Sequence, residues 1–230
     1  MQIPQNLNFY LSTRGENLGN SYDNNIAFHV GDDAQNPTQN LKNILKNHKQ
    51  DFKNLAYLNQ VHGVDILHAK HGGNLGSGDG ILITQKGIIG LIMVADCNPV
   101  LLFDKKNKIL LMLHAGRAGV EQEIILKGFF KMQKEFNSQA KDIFAYIGPS
   151  IKKCCYEVGD EVFSKNLKNG KILKNEKIYV DLTKILKEQF ASLKITDSYF
   201  DSTCTCCDSR YFSYRREKIC GRFGLFANLI

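Results

Sequence analysis

The sequence predicts one α/β domain over residues 1–230, with helices flanking a mixed β-sheet. The chain has 230 residues, enough for one sizeable core, and no linker-like segment divides it. Short apolar runs alternate with amphipathic stretches along the chain. Between 100 and 114, the apolar runs "VLLFD" and "ILLMLH" are separated only by a short polar segment. Such a connection forms a hairpin, so part of the sheet is predicted to be antiparallel.

The elements of the first half follow in order. Residues 8–32 predict a strand, a long loop and a second strand, because short apolar runs alternate there with turn residues. The segment 37–49 predicts a helix with one apolar face. A strand with a kink at His62 is predicted over 54–69, and the glycine-rich segment 70–80 is predicted to be a flexible connection.

The second half continues the alternation. Three apolar strands are predicted between 81 and 114, and an amphipathic helix is predicted over 120–136. The remaining predicted elements are a strand at 143–150, helices at 160–170 and 181–194, and strands at 197–200, 210–216 and 222–230. This order mixes strands and helices throughout, as expected for a single α/β domain.

Composition and charge exclude several classes of protein. The formal net charge is +7, but the lysines are scattered and form no compact basic stripe, so we expect no nucleic-acid partner. The charge is compatible with an anionic small-molecule substrate. The longest apolar stretch, residues 87–94, is too short to span a bilayer, and no secretory signal pattern is visible. We therefore expect a cytoplasmic protein with no membrane partner and with its seven cysteines reduced.

Two histidines and a cysteine predict a metal site. His62 lies at the predicted kink, Cys97 follows "IIGLIMVAD", and His114 ends "KILLML". Their wide separation fits no zinc finger, but it fits ligands delivered from the ends of separate strands. Two imidazoles and one thiolate suit a catalytic zinc with an open position for water, whose pKa the metal would lower towards about 7. Spacing alone leaves another interpretation open, in which Cys97 is a small core residue and His62 a turn residue.

Six motifs carry a resemblance to a known family. In chain order they are "NQVHG", "ADCNPVLLFD", "LHAGRAGV", "IGPSIKKCCYEVGDEV", "DSTCT" and "YFSYRREKICGRFGLFANLI". Together with the N-terminal segment, they resemble the laccase-domain family, also called multicopper polyphenol oxidases, over nearly the whole chain. Its members are understood as purine nucleoside phosphorylases with adenosine deaminase activity, and some as the peptidoglycan editing factor. The resemblance implies one α/β domain with zinc in a surface pocket, bound by His62, Cys97 and His114.

The resemblance also implies the chemistry, which is phosphorolysis of purine nucleosides and hydrolytic deamination of adenosine. A carboxylate is needed to move protons. The predicted catalytic residues are His62, Cys97, His114 and Asp79, with Asp96 and Glu157 as further candidate carboxylates. An alternative role for Asp96 is to orient a metal ligand through a hydrogen bond. His29, in "AFHVGDD", is a further candidate for the site.

The substrate is expected to be a nucleoside together with phosphate. The predicted substrate-binding residues are Arg14, Ser21, Asn25, Asn40, Arg117 and Arg215. Arginine offers a planar fork to phosphate oxygens, and on a strand only one of Arg215 and Arg216 can face a pocket. Tyr156 and Phe212 could stack on a purine or belong to the core.

One motif departs from the family. The chain reads "HAGRAG" where the family usually reads "HAGWRG", so Arg117 takes the place of the tryptophan and Ala118 that of the arginine. Activity or substrate preference is therefore expected to differ from that of typical members.

Three alternatives remain open at this point, and no oligomeric state is predicted. Cys97 with His114 as base would make a metal-free thiol hydrolase. A peptidoglycan editing hydrolase would act on a mis-charged UDP-muramoyl precursor. A non-catalytic zinc protein would need a fourth protein ligand. Copper is the less favoured metal, and polyphenol oxidase chemistry is disfavoured, because six histidines are too few for several copper centres.

The other cysteines are predicted to be free thiols. They form the pair "CC" at 154–155 and the cluster "CTCC" at 204–207. The CxCC pattern lacks the two-residue spacer of a tetrahedral thiolate pair.

Overall fold

The computed structural model describes residues 1–164 and 166–230, which form two large β-sheets packed face to face between helices, together with a separate two-stranded sheet. The strands are β1 Leu7–Leu11, β2 Leu55–Asn59, β3 Ile66–Ala69, β4 Gly73–Ser77, β5 Gly80–Ile83, β6 Ile89–Val94, β7 Asn98–Asp104, β8 Ile109–Ala115, β9 Ile143–Ile147, β10 Lys171–Lys174, β11 Lys177–Val180, β12 Asp197–Phe200 and β13 Phe223–Leu229. The helices are α1 Gln35–Asn47, α2 Arg117–Glu121, α3 Ile124–Phe136, α4 Leu182–Ser192 and α5 Tyr214–Glu217.

Both sheets are mixed. The five-stranded sheet has the order β1-β13-β6-β2-β4, antiparallel at the β1 side and parallel from β6 to β4. The six-stranded sheet has the order β12-β9-β7-β8-β5-β3, with parallel pairs at its two edges. The predicted hairpin is confirmed, because β7 and β8 pair antiparallel from Asn98 opposite Ala115 to Asp104 opposite Ile109. The predicted fold class, mixed α/β, is therefore confirmed.

The apolar strands are buried on both faces. Along β7, Leu101 and Phe103 point into the core between the two sheets, whereas Val100 and Leu102 point into the core beneath α3 and α4. A third core lies between α1 and the outer face of the five-stranded sheet. This packing on both faces explains why the central strands read as continuous apolar runs without alternation.

Two predicted strands are wrong. The segment after Asn25 turns instead of extending, because the Asn25 carboxamide accepts from the Ala27 N–H at 3.0 Å and donates to the Ala27 carbonyl at 2.9 Å. The strand predicted over 210–216 is replaced by a bend and the short helix α5. Ser213 caps this helix, since its hydroxyl accepts from the Arg216 N–H at 3.2 Å.

The segment 54–80 also differs from its prediction. The expected kinked strand is two strands, β2 and β3, in different sheets, and the turn between them places His62 at a φ of +61°. The glycine-rich segment is not a flexible connection, since it contains β4, which pairs parallel with β2. Gly73 and Gly76 have φ values of +114° and +104°, a backbone that glycine adopts without strain.

The helices of the second half differ in detail. The one predicted over 120–136 begins earlier and breaks at Glu123, whose φ is +60°, to give α2 and α3. The helix predicted over 160–170 is wrong, and two short 3₁₀ turns occur there. The hairpin of β10 and β11 was not predicted, although its turn residues Asn175 and Glu176 both have positive φ, as a tight hairpin turn requires. None of the helices that the structure describes is long and apolar enough to cross a bilayer.

Candidate metal centre and its cavity

The structure brings the three predicted metal ligands together. His62 lies in the connection between β2 and β3, Cys97 in the turn between β6 and β7, and His114 near the end of β8. One ligand atom from each lies within 4.8 Å of the other two, and Cys97 Sγ is 3.9 Å from His62 Nε2. The two imidazole rings meet edge to face, with centroids 4.7 Å apart. The ligands thus come from both sheets and meet at the seam between them.

Asp79 holds two of these ligands in place. Its carboxylate is fully buried and accepts from His114 Nδ1 at 2.7 Å, from the His62 N–H at 3.0 Å and from the Gly63 N–H at 2.6 Å. Its carbonyl accepts from the His114 N–H at 2.8 Å. Because Nδ1 of His114 is engaged, its Nε2 is the nitrogen left to face Cys97 and His62. Such a carboxylate behind a histidine ligand fixes ring orientation and tautomer.

The charges of the site oppose the effect of burial. Burial by itself raises the pKa of the Cys97 thiol, but the charge of His114 and hydrogen bonds from both histidines lower it to about 6. Burial by itself lowers the pKa of His114, whereas the Cys97 charge and the hydrogen bond to Asp79 raise it to about 9. Burial also raises the pKa of Asp79, while hydrogen bonds from His114 and Gly63 hold it below its ordinary value. Without a metal, the site therefore holds a thiolate beside an imidazolium at neutral pH.

The donor set fits a zinc ion. Zinc bonds of 2.0–2.1 Å to nitrogen and 2.3 Å to sulfur place tetrahedral ligand atoms about 3.3–3.8 Å apart, and Cys97 Sγ and His62 Nε2 are 3.9 Å apart. Gly116 keeps this space open, because a Cβ there would lie 3.0 Å from Cys97 Sγ and 3.1 Å from His62 Cδ2. Three protein ligands leave one position for water or substrate, as in catalytic zinc sites.

A cavity of about 400 Å³ opens over the three ligands. Its volume lies in the range of small-molecule sites. Of the residues predicted for the site, Arg117 and Arg215 line the cavity, as do Asp96, Tyr156 and His29. Three polar or aromatic lining residues were not predicted, namely Gln60, Tyr214 and Arg222. Arg222 belongs to the closing motif, so a count of the cations in that motif could have found it.

Asp96 organises one wall of the cavity. It has a φ of +91°, and its carboxylate accepts from the Thr205 hydroxyl at 2.7 Å and from the Arg215 N–H at 2.7 Å. Arg215 in turn donates from Nη1 to the Glu157 carbonyl at 2.6 Å and lies over the Tyr156 ring. Asp96 therefore anchors the backbone of Arg215, which lines the cavity, and the alternative role of orienting a metal ligand stays a prediction.

Comparisons with known proteins agree with this geometry. The family model described as "Multi-copper polyphenol oxidoreductase laccase" matches residues 9–230. This chain belongs to that family. A relative from Clostridium acetobutylicum named purine nucleoside phosphorylase is 34% identical over 213 residues, covering 89% of this chain and 87% of the relative. One of the same name from Bacteroides thetaiotaomicron is 28% identical, covering 92% of this chain and 87% of the relative.

Solved structures of the laccase-domain family share the fold. YlmD from Geobacillus stearothermophilus superposes with a TM-score of 0.92 at 23% identity, over 98% of this chain and 92% of that chain. The Neisseria meningitidis protein NMB0706 superposes with a TM-score of 0.87 at 24% identity, over 98% of this chain and 95% of that chain. The resemblance seen in the six motifs is thus confirmed for both family and fold.

Four predicted substrate residues of this laccase-domain protein lie behind the cavity wall. Arg14 is 7% exposed and forms an ion pair with Glu217 at 2.6 Å, and Ser21 accepts from the Gly221 N–H through its carbonyl. Asn25 accepts from the Arg222 N–H at 2.9 Å, and Asn40 donates to the Asn25 carbonyl at 2.8 Å. None of the four is among the described residues that line the cavity. Their direct contact with substrate stays a prediction, and their observed contacts support the backbone that carries Arg222.

Three further candidates, Glu157, Phe212 and Arg216, are not among the described residues that line the cavity. Glu157 pairs with Lys177 at 3.0 Å and does not line the cavity, while Phe212 is fully buried beneath Arg14. Arg216 turns away from the cavity. It donates to the carbonyls of Thr205 and Tyr211, both at 2.8 Å. Only Arg215 of the arginine pair faces the cavity, but the reason is the geometry of α5 and not strand alternation.

The "HAGRAG" departure keeps a cation at the site. Arg117 begins α2, lines the cavity and bonds from Nη1 to Glu121 Oε2 at 3.2 Å. Ala118, which stands where the family usually has arginine, is half-buried and carries no charge. This laccase-domain segment therefore carries its positive charge at position 117, whereas the family usually carries it at position 118.

Proposed function

We propose that this chain is a purine nucleoside phosphorylase that binds zinc through His62, Cys97 and His114. One observation carries the proposal. The three ligand atoms converge at a cavity of about 400 Å³ that is also lined by Arg117 and Arg215. The thiolate and imidazole ligands favour zinc at one side of the cavity. The planar guanidinium groups favour an anionic reactant at the other side. The relatives named purine nucleoside phosphorylase support the same reaction.

Phosphorolysis assigns a task to each side of the cavity. A phosphate oxygen forms a bond to ribose C1′ as the bond from C1′ to the base nitrogen breaks, and the base leaves with that electron pair and takes up a proton. Arg117, Arg215 and Arg222 would hold the phosphate, because each lines the cavity and is permanently charged. When bound, zinc would supply a Lewis acid at the floor of the cavity.

Proton transfer to the departing base is assigned to His29. Apart from the metal ligands, His29 supplies the imidazole and Asp96 the carboxyl group among the described lining residues. Both carboxylate oxygens of Asp96 already accept hydrogen bonds. His29 is exposed, so its ring can reach a bound substrate. Asp79 is a positioning residue, because it is fully buried and bonds to the ligands.

The same cavity would also support adenosine deamination, in which water adds at C6 of the base and ammonia leaves. The assay incubates purified protein with adenosine, with and without phosphate, and separates the products. Adenine and ribose 1-phosphate formed only with phosphate support phosphorolysis, and inosine formed without phosphate supports deamination. Zinc content is measured on the same protein and on His114→Ala, which should lose turnover and the zinc of the His62–Cys97–His114 centre, about one zinc per chain. Protein that contains zinc but turns over no nucleoside would refute the proposal. It would favour a peptidoglycan editing hydrolase that acts on a UDP-muramoyl precursor.

A second candidate is a metal-free thiol hydrolase. It is favoured by the chain of contacts from Cys97 through His114 to Asp79, which resembles a nucleophile, its base and an orienting carboxylate. Chelation separates the two candidates. A phosphorylase that depends on zinc loses turnover in chelator and regains it with added zinc, whereas a thiol hydrolase keeps its activity in chelator and loses it with iodoacetamide.

A further inference from the structure

We propose that Cys154, Cys155, Cys204 and Cys207 form a second zinc site, closed by four thiolates and separate from the His62–Cys97–His114 centre. Their four sulfur atoms all lie within 4.8 Å of one another. Cys207 Sγ is 3.8 Å from Cys154 Sγ and 3.3 Å from Cys155 Sγ. Zinc–sulfur bonds of 2.3 Å place tetrahedral thiolates about 3.8 Å apart, so the four sulfurs already stand near the corners of such a site.

The local sequence supports this assignment. Cys204 and Cys207 enclose two residues, the spacer that tetrahedral thiolate pairs prefer, although the CxCC pattern draws attention to Cys204 and Cys206 instead. The Cys207 N–H donates to the Cys204 carbonyl at 3.1 Å, so a tight turn holds the two side chains on one side. The Lys152 N–H also points at Cys204 Sγ at 3.4 Å, as backbone donors do beside metal-bound thiolates.

Four sulfurs in mutual contact fit a metal better than a disulfide. A disulfide between Cys155 and Cys207 would consume two of the cysteines and leave the other two beside it without a role. A soft thiolate set selects zinc or copper(I) over magnesium and calcium. Zinc binding would release four protons, one from each thiol, and leave a net charge of −2.

Cations lie on both segments to balance that charge. Lys152 adjoins the first cysteine pair and is held by Ser150, whose hydroxyl it contacts at 2.9 Å. Arg216 donates to the carbonyls of Thr205 at 2.8 Å and Cys206 at 3.2 Å, within the second cysteine segment. This guanidinium also shapes the turn, so the second pair of thiols is held in position before any metal binds.

The proposed site joins two segments that build the cavity wall. Ile151 and Tyr156, on either side of the first cysteine pair, line the cavity, and Thr205 bonds to Asp96 from the second segment. Apart from the cysteines, the described contacts between the two segments are backbone hydrogen bonds around Ser150. A closed four-thiolate site therefore acts structurally, as a clamp that fixes one wall of the cavity.

The test counts zinc by mass spectrometry in protein purified without added metal. The reference is Cys97→Ser, which removes the single thiolate of the first centre, and it should retain about one zinc per chain. Adding Cys207→Ser should remove that zinc. Adding Cys206→Ser instead should keep it, because Cys206 lies in the same turn but outside the cluster. Nucleoside turnover is not a readout, so failure of the proposed function and failure of the second site are distinguishable.

A second measurement tests the proposal if the Cys207→Ser chain does not fold. Cadmium is titrated into the unmodified protein and into Cys97→Ser protein, and the cadmium–thiolate absorption at saturation is compared. The second site forms four cadmium–sulfur bonds and the first centre forms one, so Cys97→Ser protein should keep about four fifths of the absorption. Equal zinc in the Cys206 and Cys207 variants, no cadmium–thiolate band in Cys97→Ser protein, or a Cys155–Cys207 disulfide found by peptide mapping would overturn the proposal.

Discussion

Asp79→Asn tests the claim that one buried carboxylate sets the geometry of the first metal centre. Asp79 accepts four hydrogen bonds, two at Oδ1 from the His62 N–H and His114 Nδ1, and two at Oδ2 from the Val61 and Gly63 N–H groups. Asparagine keeps one acceptor oxygen, so its NH₂ group must face two donors in either orientation. Losing two hydrogen bonds to a charged acceptor costs about 3–6 kcal/mol of folding free energy.

Metal affinity should fall as well. If the NH₂ group faces His114, the ring must accept at Nδ1 and carry its proton on Nε2, the nitrogen that would bind zinc. We expect zinc affinity to drop about 10–100-fold, as for other carboxylates behind histidine ligands. Affinity is measured by competition with a chromophoric chelator, and stability by urea unfolding. The control is Asp65→Asn, whose side chain is exposed on the loop between β2 and β3 that carries His62. Zinc affinity equal to that of Asp65→Asn would refute the positioning role.

Three further predictions concern single positions. Gly116→Ala places a Cβ 3.0 Å from Cys97 Sγ and should weaken zinc binding about tenfold. Gly19→Ala, whose Cβ would meet only the Asn17 side chain at an ordinary 3.4 Å, should not weaken it, and equal affinities would contradict the close packing at Gly116. In metal-free protein, the rate at which iodoacetamide alkylates Cys97 should have its midpoint near pH 6, because the thiolate is lost as the pH falls through the lowered pKa of Cys97. A midpoint near that of an ordinary thiol would be evidence against this lowered pKa. Gly90→Ala puts a Cβ 2.4 Å from Met112 Sδ in the core and should cost about 1–3 kcal/mol in urea unfolding, so unchanged stability would rule out the tight contact.

The three candidate metal ligands could be predicted from the sequence, but the role of Asp79 in supporting them could not. His62, Cys97 and His114 each sit beside an apolar run, and the motifs around them identify the family. Asp79 was predicted as a proton carrier, yet it is fully buried and bonded to both histidine segments. Its position within a glycine-rich segment gives no indication of burial. Only the pairing of β5 with β8 shows that Asp79 lies beside His114.

The central strands were predictable for a physical reason, and the edge strand β4 was not. Strands buried on both faces must be apolar throughout, so β6, β7 and β8 can be recognised in the sequence as apolar runs. Apart from Leu75, the edge strand β4 consists of polar and glycine residues, so its pairing with β2 has little signal in the side chains. The segment 210–216 has the aromatic content of a strand, but the Ser213 cap turns it into a helix. The sequence predicts free thiols because Cys204 and Cys206 lack a two-residue spacer, although Cys204 and Cys207 have one. The contact of this segment with the first cysteine pair, about 50 residues earlier, is visible only in the structure.

The place of β13 within its sheet affects how the protein is made. This last strand lies between β1 and β6, so the first strand of the chain pairs only with the last. While the ribosome is still translating residues before Phe223, β1 has no partner in the sheet and one edge of β6 stays open. Unpaired strand edges attract other chains. A premature stop shortly before Phe223 would therefore release a chain with unpaired strand edges that aggregates, and the five-stranded sheet cannot be completed until β13 has been made.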